Sequence, residues 1–333
     1  MITTLCKGAA ITVVTLYAVR KLVSYRWGVF TRHVDCSRLI VVITGATSGI
    51  GKATAEQLHL RGATVVLACR DVLKAKLLAE ELRQRNEDTR VMSFTLDLSD
   101  FDSVDAFCRQ CKKHLPRIDV LILNAGVAFC PYAETKQGLE LQMGVNYFGH
   151  ARLTLGLLNL LGKSSAPRVV QLSSSLYKLS KVPDRIQAIT GEAHIHDVCQ
   201  TEANYDSKAA YYDSKLAGML FTKEIGRRFP SLICASVSPG IVATNLGRHR
   251  WSLYKWISLP ALAVFSLLAV RTPFQGCQTV LFAALDDRVT KPYGYYRDCR
   301  EEEVSKLQMN LLLCEKLFLA TQEIFNHCDN AEQ

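Results

Sequence analysis

The chain writes Tyr-Asp-Ser-Lys twice, at residues 205–208 and 212–215, with Tyr211 beside the second copy. A phenol is a sluggish acid–base group near neutral pH because its pKa is about 10. A neighbouring ammonium stabilises the phenolate and lowers that value. On a helix the lysine must sit three or four residues away to share the tyrosine's face. Tyr205 with Lys208, Tyr212 with Lys215 and Tyr211 with Lys215 all meet this condition, so spacing leaves three pairs open. Periodicity narrows them. Tyr212, Leu216, Met219 and Leu220 recur at helical spacing and are expected to face the core. Tyr211, Lys215 and Gly218 occupy the adjacent face, where the missing side chain of Gly218 allows close packing. Tyr212 then reads as structural, and Tyr205, in a polar stretch before the helix proper, reads as loop.

Such a pair needs a scaffold, and the sequence supplies one from residue 39 onward. Short β-branched runs (39–44, 64–68, 91–97, 120–124, 168–173, 232–237) alternate with helical patterns to about residue 60, from Asp71, over 101–114, around 139–161, over 209–228 and near 275–285. This βαβ rhythm predicts an α/β fold: a single-domain, doubly wound Rossmann-type parallel sheet covered on both faces. Between the first strand and the first helix, TGATSGIG places Gly45, Gly49 and Gly51. Such a turn lets backbone N–H groups and a helix N-terminus face a pyrophosphate, where a Cβ would block the approach. Its Gly-x3-Gly-x-Gly spacing differs from the GxGxxG of two-domain dehydrogenases. Two segments break the rhythm. Residues 176–208 form a long polar insertion, and residues 251–270 form an apolar stretch interrupted by Lys255 and Pro260, expected to be a lid over an apolar pocket or an element in a membrane interface.

At 333 residues and 49% hydrophobic, the chain accommodates one large domain plus attachments. The formal net charge of +9 is spread along the sequence, with no dense basic run alternating with aromatics. Nucleic acid is therefore not the expected partner; a cofactor site and an anionic membrane surface account for the excess. The twelve cysteines are scattered and are expected to be reduced thiols. Cys108 and Cys111 fall within one helix with no second pair to complete a metal site, and His194, His196 and Cys199 read as a polar loop. No metal is expected. Residues 2–19 are apolar apart from Lys7 and are followed by Arg20, Lys21, Arg26 and Arg32. That is a minimal membrane-span length, with no small-x-small cleavage site before the basic cluster, and the positive-inside bias keeps the bulk of the chain cytosolic. The expected organisation is an anchor and basic flank over 1–26, a linker over 27–38, the Rossmann domain over 39–300 and a C-terminal helical extension over 301–333.

The TGxxxGIG turn, followed by Asn-Ala-Gly at residues 124–126 after the fourth strand, resembles the short-chain dehydrogenase/reductase family over residues 39–296. LACRD, LDLSD, GVNYFGH and SPGIVATN further resemble its retinol dehydrogenase branch and a relative of that branch, the WW-domain-containing oxidoreductase. The family's Tyr-x3-Lys motif matches Tyr211 and Lys215 alone, which agrees with the periodicity. The resemblance makes Tyr211 the acid–base group and gives Lys215 a second bond, to the nicotinamide ribose. Of the three serines in VVQLSSS, the catalytic one matches Ser174, with Ser175 the rival and Ser173 a bystander. Asn146 resembles the asparagine that holds a water in the proton relay; a buried, helix-bending amide is the alternative. Gly45, Thr47, Ser48, Gly49, Ile50 and Gly51 would form the cofactor turn, Asp97 the adenine contact, and Asn124, Ala125 and Gly126 the adenosine side of the groove. Pro239, Gly240 and Thr244 would orient the nicotinamide carboxamide. Cys69 stands where NAD-specific relatives carry an acid, and Arg70 follows; Arg70, with Lys52, favours NADP(H), while Asp71 is expected to cap the next helix.

The resemblance thus implies an NADP(H)-dependent oxidoreductase interconverting a carbonyl and an alcohol on a lipophilic substrate. Retinaldehyde/retinol is favoured and a steroid, polyprenol or lipid aldehyde is the alternative, with a preference for reduction. It also implies a catalytic domain held on the endoplasmic reticulum membrane and facing the cytosol, and it is compatible with a homodimer. A non-catalytic membrane-tethered scaffold is the rival, against which the intact serine, tyrosine, lysine and asparagine set speaks. One departure stands out: Ser174 and Tyr211 are further apart than is usual in the family, and the intervening segment is expected to border the pocket.

Overall fold

The computed structural model describes residues 15, 17–86, 89–247, 264, 266, 268–305 and 309–331. At its centre β1 (Ile40–Thr44), β2 (Thr64–Cys69), β3 (Val91–Thr95), β4 (Val120–Leu123), β5 (Arg168–Leu172), β6 (Ile233–Ser238), β7 (Tyr293–Arg297) and β8 (Arg300–Glu301) form one eight-stranded sheet. Its order is β3-β2-β1-β4-β5-β6-β7-β8, parallel throughout except for the antiparallel β7–β8 pair. Parallel strands buried on both faces need no polar side, which is why these segments read as continuous runs such as Val41-Val42-Ile43, all fully buried. The chain winds outward from β1 to β3 and then in the other direction from β4. The crevice at the C-terminal ends of β1 and β4 is therefore the topological switch point, where such sheets bind ligands.

The helices are α1 (Gly49–His59), α2 (Val72–Arg85), α3 (Phe101–His114), α4 (Gly149–Leu161), α5 (Val182–Ala188), α6 (Ile195–Val198), α7 (Ser207–Arg228), α8 (Pro273–Leu285) and α9 (Leu311–Ala331). Buried residues of α1, α2 and α8 pack in one core layer, while those of α3, α4, α7 and α9 pack in the other. Local chemistry fixes the helix starts. Asp71 caps α2 by accepting from the Lys74 amide, as expected, and Asp206 caps α7 through the Lys208 and Ala209 amides. Thr272 and Gln275 form a reciprocal capping box on α8, with Pro273 in its first turn.

Three regions differ from the sequence reading or extend it. The pattern around residues 139–161 is broken: a short turn (Leu141–Met143) runs into a π-helical turn (Gly144–Phe148) before α4 begins. Tyr212 does not face the core. It is half-buried, whereas every other residue from Ala210 to Thr222 is buried, so burial here covers nearly the whole helix circumference rather than one stripe. The polar insertion folds as a 3-10 turn (Ser175–Leu179), α5, α6 and a second 3-10 turn (Glu202–Asn204), and it docks on α9, where Glu323 accepts from the Ala193 amide at 2.8 Å.

Residues 1–14 and most of 251–270 lie outside the described residues, so neither the proposed span nor the lid is described. Among the described residues no helix is long and apolar enough to cross a membrane. Residues 17–25 are helical, and Arg20 donates to the Val270 carbonyl at 2.9 Å, which ties the basic flank to the body. The described cysteines are free thiols, nearly all buried, Cys108 and Cys111 among them.

Candidate active site

A cleft of ≈ 830 Å³ opens at the switch point. Gly45, Thr47, Ser48, Gly49 and Ile50 of the glycine turn line it with Cys69, Arg70, Asp97 and residues 124–128, and so do Ser173, Ser174, Tyr211, Lys215, Pro239, Gly240, Val242, Thr244 and Leu246; Gly51 is not in the lining. A shallower groove of ≈ 880 Å³ follows the edge strand β3 beside Arg83 and Phe94, away from every one of these residues.

The turn between β1 and α1 is shaped for a close-approaching anion. Gly45 and Gly49 take φ of +64° and +53°, a left-handed conformation that a side chain would strain. Ser48, at the N-cap of α1, makes no side-chain cap bond, which leaves the first amides of α1 available to a ligand. Asn124 braces the turn by donating from Nδ2 to the carbonyls of Thr44 (2.8 Å) and Gly45 (3.3 Å). Thr44 Oγ1 in return accepts from the amides of Asn124 and Ala125, both at 2.9 Å. His150 completes this lattice. Its Nδ1 lies 3.1 Å from the Asn146 carbonyl, which can only accept, so Nδ1 carries the proton and Nε2 accepts from Thr44 Oγ1 at 2.9 Å. Burial pushes the His150 pKa down to about 3, and the ring is neutral.

The same cleft brings Ser174, Tyr211 and Lys215 into one space. Lys215 Nζ lies 5.5 Å from the centre of the Tyr211 ring and donates to the Leu172 carbonyl at 3.1 Å. It is buried and makes no ion pair among the described residues, and burial alone pushes its pKa down to about 8. Phe129 packs against the Tyr211 ring with centroids 4.8 Å apart and has φ of +55°, unusual for a bulky residue. Asn146 sits in the π-helical turn, fully buried. Its Oδ1 accepts from the Val127 amide (2.8 Å), and Nδ2 donates to the Val127 carbonyl and to Ser214 Oγ, each at 2.9 Å. A Cβ on Gly126 would lie 2.9 Å from Asn146 Oδ1 and 3.6 Å from Lys215 Nζ, so only glycine leaves these groups undisturbed.

The three serines separate by exposure. Ser173 is buried, with Oγ directed at the Lys215 carbonyl (3.4 Å); Ser175 is exposed and outside the cleft; Ser174 is half-buried and lines it. Tyr205 precedes α7, as expected, with its hydroxyl donating to the Cys130 carbonyl and accepting from Gln142, each at 2.8 Å. Arg70 is exposed at the cleft margin with no ion pair among the described residues. Lys52 is not its partner. It lies outside the cleft lining, held by Glu81 at 3.0 Å and Glu56 at 3.8 Å, because α1 turns it toward α2. Lys74, paired with Asp71, lines the margin instead. Burial pushes the Cys69 thiol up to about 11, so it is a neutral neighbour where an acid would repel a second phosphate. Asp97 accepts from the Ser99 amide and hydroxyl, which fixes its carboxylate at the cleft wall.

Sequence reasoning missed Thr44 and His150, and also Arg271. That arginine is buried, pairs with Asp298 at 2.7 Å and donates to the Pro239 carbonyl at 3.2 Å beneath the Pro239–Gly240 turn. Nothing in the sequence near Arg271 marks it, since its partners lie far away in the chain. His150 does carry a sequence signal: it ends the GVNYFGH segment, one helical turn beyond Asn146.

The chain is similar to several known proteins. The short chain dehydrogenase family model matches residues 39–182. Mouse retinol dehydrogenase 14 is 40% identical over 84% of this chain and 83% of its own length, and human retinol dehydrogenase 11 is 38% identical over 90% and 89%. Among solved structures, a protein from Mycobacterium paratuberculosis superposes with a TM-score of 0.66 at 28% identity, covering 90% of this chain and 98% of that one. A short chain dehydrogenase from Shigella flexneri, solved with NADP, shares the fold at a TM-score of 0.58 and 22% identity, over 79% and 98%. The chain is an oxidoreductase and belongs to the short-chain dehydrogenase/reductase family, in its retinol dehydrogenase-like branch.

Proposed function

We propose that this protein is an NADP(H)-dependent oxidoreductase that interconverts a carbonyl and an alcohol on a lipophilic, retinoid-like substrate, with reduction the preferred direction. One observation carries the reading: a buried ammonium without an anionic partner among the described residues stands beside a cleft-facing phenol. A phenolate at Tyr211 is the charge that would compensate Lys215, and that mutual stabilisation lowers the cost of moving the phenol's proton.

The glycine turn fits a dinucleotide, with Gly45, Thr47, Ser48, Gly49, Ile50 and Gly51 around the pyrophosphate and Asp97 and residues 124–126 along the adenosine. Pro239, Gly240 and Thr244 would hold the nicotinamide carboxamide, and Lys215 its ribose. Arg70 would pair with a 2′-phosphate, and the neutral Cys69 thiol would not oppose it. When bound, the nicotinamide supplies a hydride to the carbonyl carbon or accepts one from the alcohol. Ser174 hydrogen-bonds the substrate oxygen as charge develops there. Tyr211 donates its hydroxyl proton to that oxygen, Lys215 holds the resulting phenolate, and the spare acceptor capacity of Asn146 Oδ1 serves a water that returns the proton. Val127, Ala128, Leu141, Val145, Leu172, Val242 and Leu246 give the cleft an apolar lining suited to a lipophilic chain. The relatives' names supply the retinoid. Residues 1–26 would anchor the protein on the endoplasmic reticulum with residues 39–300 in the cytosol, where the NADPH pool is highly reduced.

The test is turnover by the full-length protein with NADPH or NADH and a panel of retinoid, steroid, polyprenyl and aliphatic aldehydes and ketones. NADPH with retinaldehyde should give the highest kcat/KM, and Tyr211→Phe should lower kcat by about 10³-fold while NADPH affinity stays within a few-fold. Wild-type turnover by Tyr211→Phe, or a folded, NADPH-binding protein inert to the whole panel, would overturn the reading; the second result would favour a scaffold.

A further inference from the structure

We propose that Asp213 is a positioning residue that sets Ser174 against Tyr211 by clamping the segment after Ser174 to the tyrosine helix; this rests on the roles given to Ser174 and Tyr211 above. Asp213 lies in α7 and is fully buried. A carboxylate without water must be fully partnered, and every partner it has among the described residues comes from the insertion that separates Ser174 from Tyr211. Oδ1 accepts from Ser180 Oγ at 2.7 Å and from the Lys181 amide at 2.9 Å, and Oδ2 pairs with the Arg185 guanidinium.

The grip lies close to Ser174. Ser174 caps the 3-10 turn Ser175–Leu179, with the Leu176 amide donating to its Oγ at 3.3 Å and the Tyr177 amide to its carbonyl at 3.0 Å. The Ser180 amide then donates to the Tyr177 carbonyl at 3.0 Å, so one hydrogen-bonded turn links Ser174 to the residues that Asp213 holds. On the other side of Ser174, the Ser173 hydroxyl is directed at the Lys215 carbonyl. The serine is thus fastened to α7 at both flanks. Two residues along a helix point nearly opposite ways, so Asp213 reaches the insertion without entering the cleft, and it is absent from the cleft lining. The clamp answers a specific need, because an insertion as long as residues 176–208 does not by itself hold the serine before it to the precision that hydride and proton transfer require.

A double-mutant cycle tests this. Asp213→Ala should lower kcat by about 30-fold, with NADPH affinity and substrate KM within about threefold, because it misplaces Ser174 and leaves the cofactor turn intact. In a Ser174→Ala background the same change should cost less than about threefold, since the group through which it acts is already gone. Asp213→Asn keeps the Oδ1 acceptor for Ser180 and Lys181 but loses the Arg185 pair, and should recover only part of the loss. If Asp213→Ala does not fold, Ser180→Ala removes one bond and leaves the ion pair; about a fivefold lower kcat, again absent in the Ser174→Ala background, is expected. Losses that multiply in the double variant, or wild-type kcat in every single variant at this clamp, overturn the clamp alone. An unchanged kcat in Ser174→Ala overturns the serine's role and the clamp with it.

Discussion

Two regions of the cleft lining, the glycine turn and the surroundings of Tyr211, are built from different materials. Around the glycine turn the shape follows the main chain: strand ladders, a turn with two glycines at positive φ, and the side chains of Asn124 and Thr44, which bond main-chain groups. Around Tyr211, buried polar side chains set the geometry: Lys215, Asn146, Ser214 and Asp213, drawn from a π-helical turn and from α7. A backbone-built site fails when space is taken away, whereas a site built from side chains fails when a proton or a bond is taken away.

Several substitutions sharpen this contrast. The largest effect on cofactor binding is expected from Gly51→Ala, whose Cβ would lie 2.3 Å from the Gly45 carbonyl oxygen and 2.5 Å from Asn124 Nδ2. NADPH binding, followed by fluorescence titration, should weaken by about 100-fold or more, because neither backbone nor brace can retreat. Arg70→Ala removes charge without touching the turn; it should raise the KM for NADPH by about tenfold and leave that for NADH within about twofold.

Lys215 predicts a pH effect on stability. Its folded pKa, about 8, lies below the ordinary 10.5. Between those values the unfolded chain holds a proton that the folded chain has released, so this group's contribution to stability rises with pH across that window. The penalty is fully present below pH 8. Urea titrations of cofactor-free protein and of Lys215→Met should differ in pH slope there, the wild type gaining on the order of 3 kcal/mol more between the two pH values. Buried thiols titrate in both proteins alike, and making the comparison in a Tyr211→Phe background removes the coupled phenol, so that the difference isolates the lysine. A matching slope in the two proteins would contradict its depressed pKa. Smallest of all, Ser175→Ala and Tyr212→Phe should each leave kcat within about twofold, since one side chain is exposed outside the cleft and the other is half-buried on α7.

The same contrast explains what could be read in advance. Strands such as Val41-Val42-Ile43 were legible because a sheet covered on both faces imposes an uninterrupted apolar run, and the glycine turn because its constraint is local. The Tyr211 face was legible for half a reason: periodicity set it apart from Tyr212, yet the expected burial of Tyr212 was wrong, since the insertion and α9 cover α7 from directions that a single-stripe pattern does not anticipate. Lys52 was misread because its position on α1 looks equally suited to a phosphate and to the Glu81 it meets. The π-helical turn at Asn146, the clamp at Asp213 and the arginine beneath Pro239 depend on partners far off in the chain, and no window of neighbouring residues encodes them.

The last helix carries a cost for biosynthesis. Phe318 stacks on Phe221 of α7, and Phe325 meets Phe101 of α3 and Phe148. Until residues 311–331 leave the ribosome, that aromatic surface has no cover, and exposed apolar surface of this kind favours aggregation of a nascent chain.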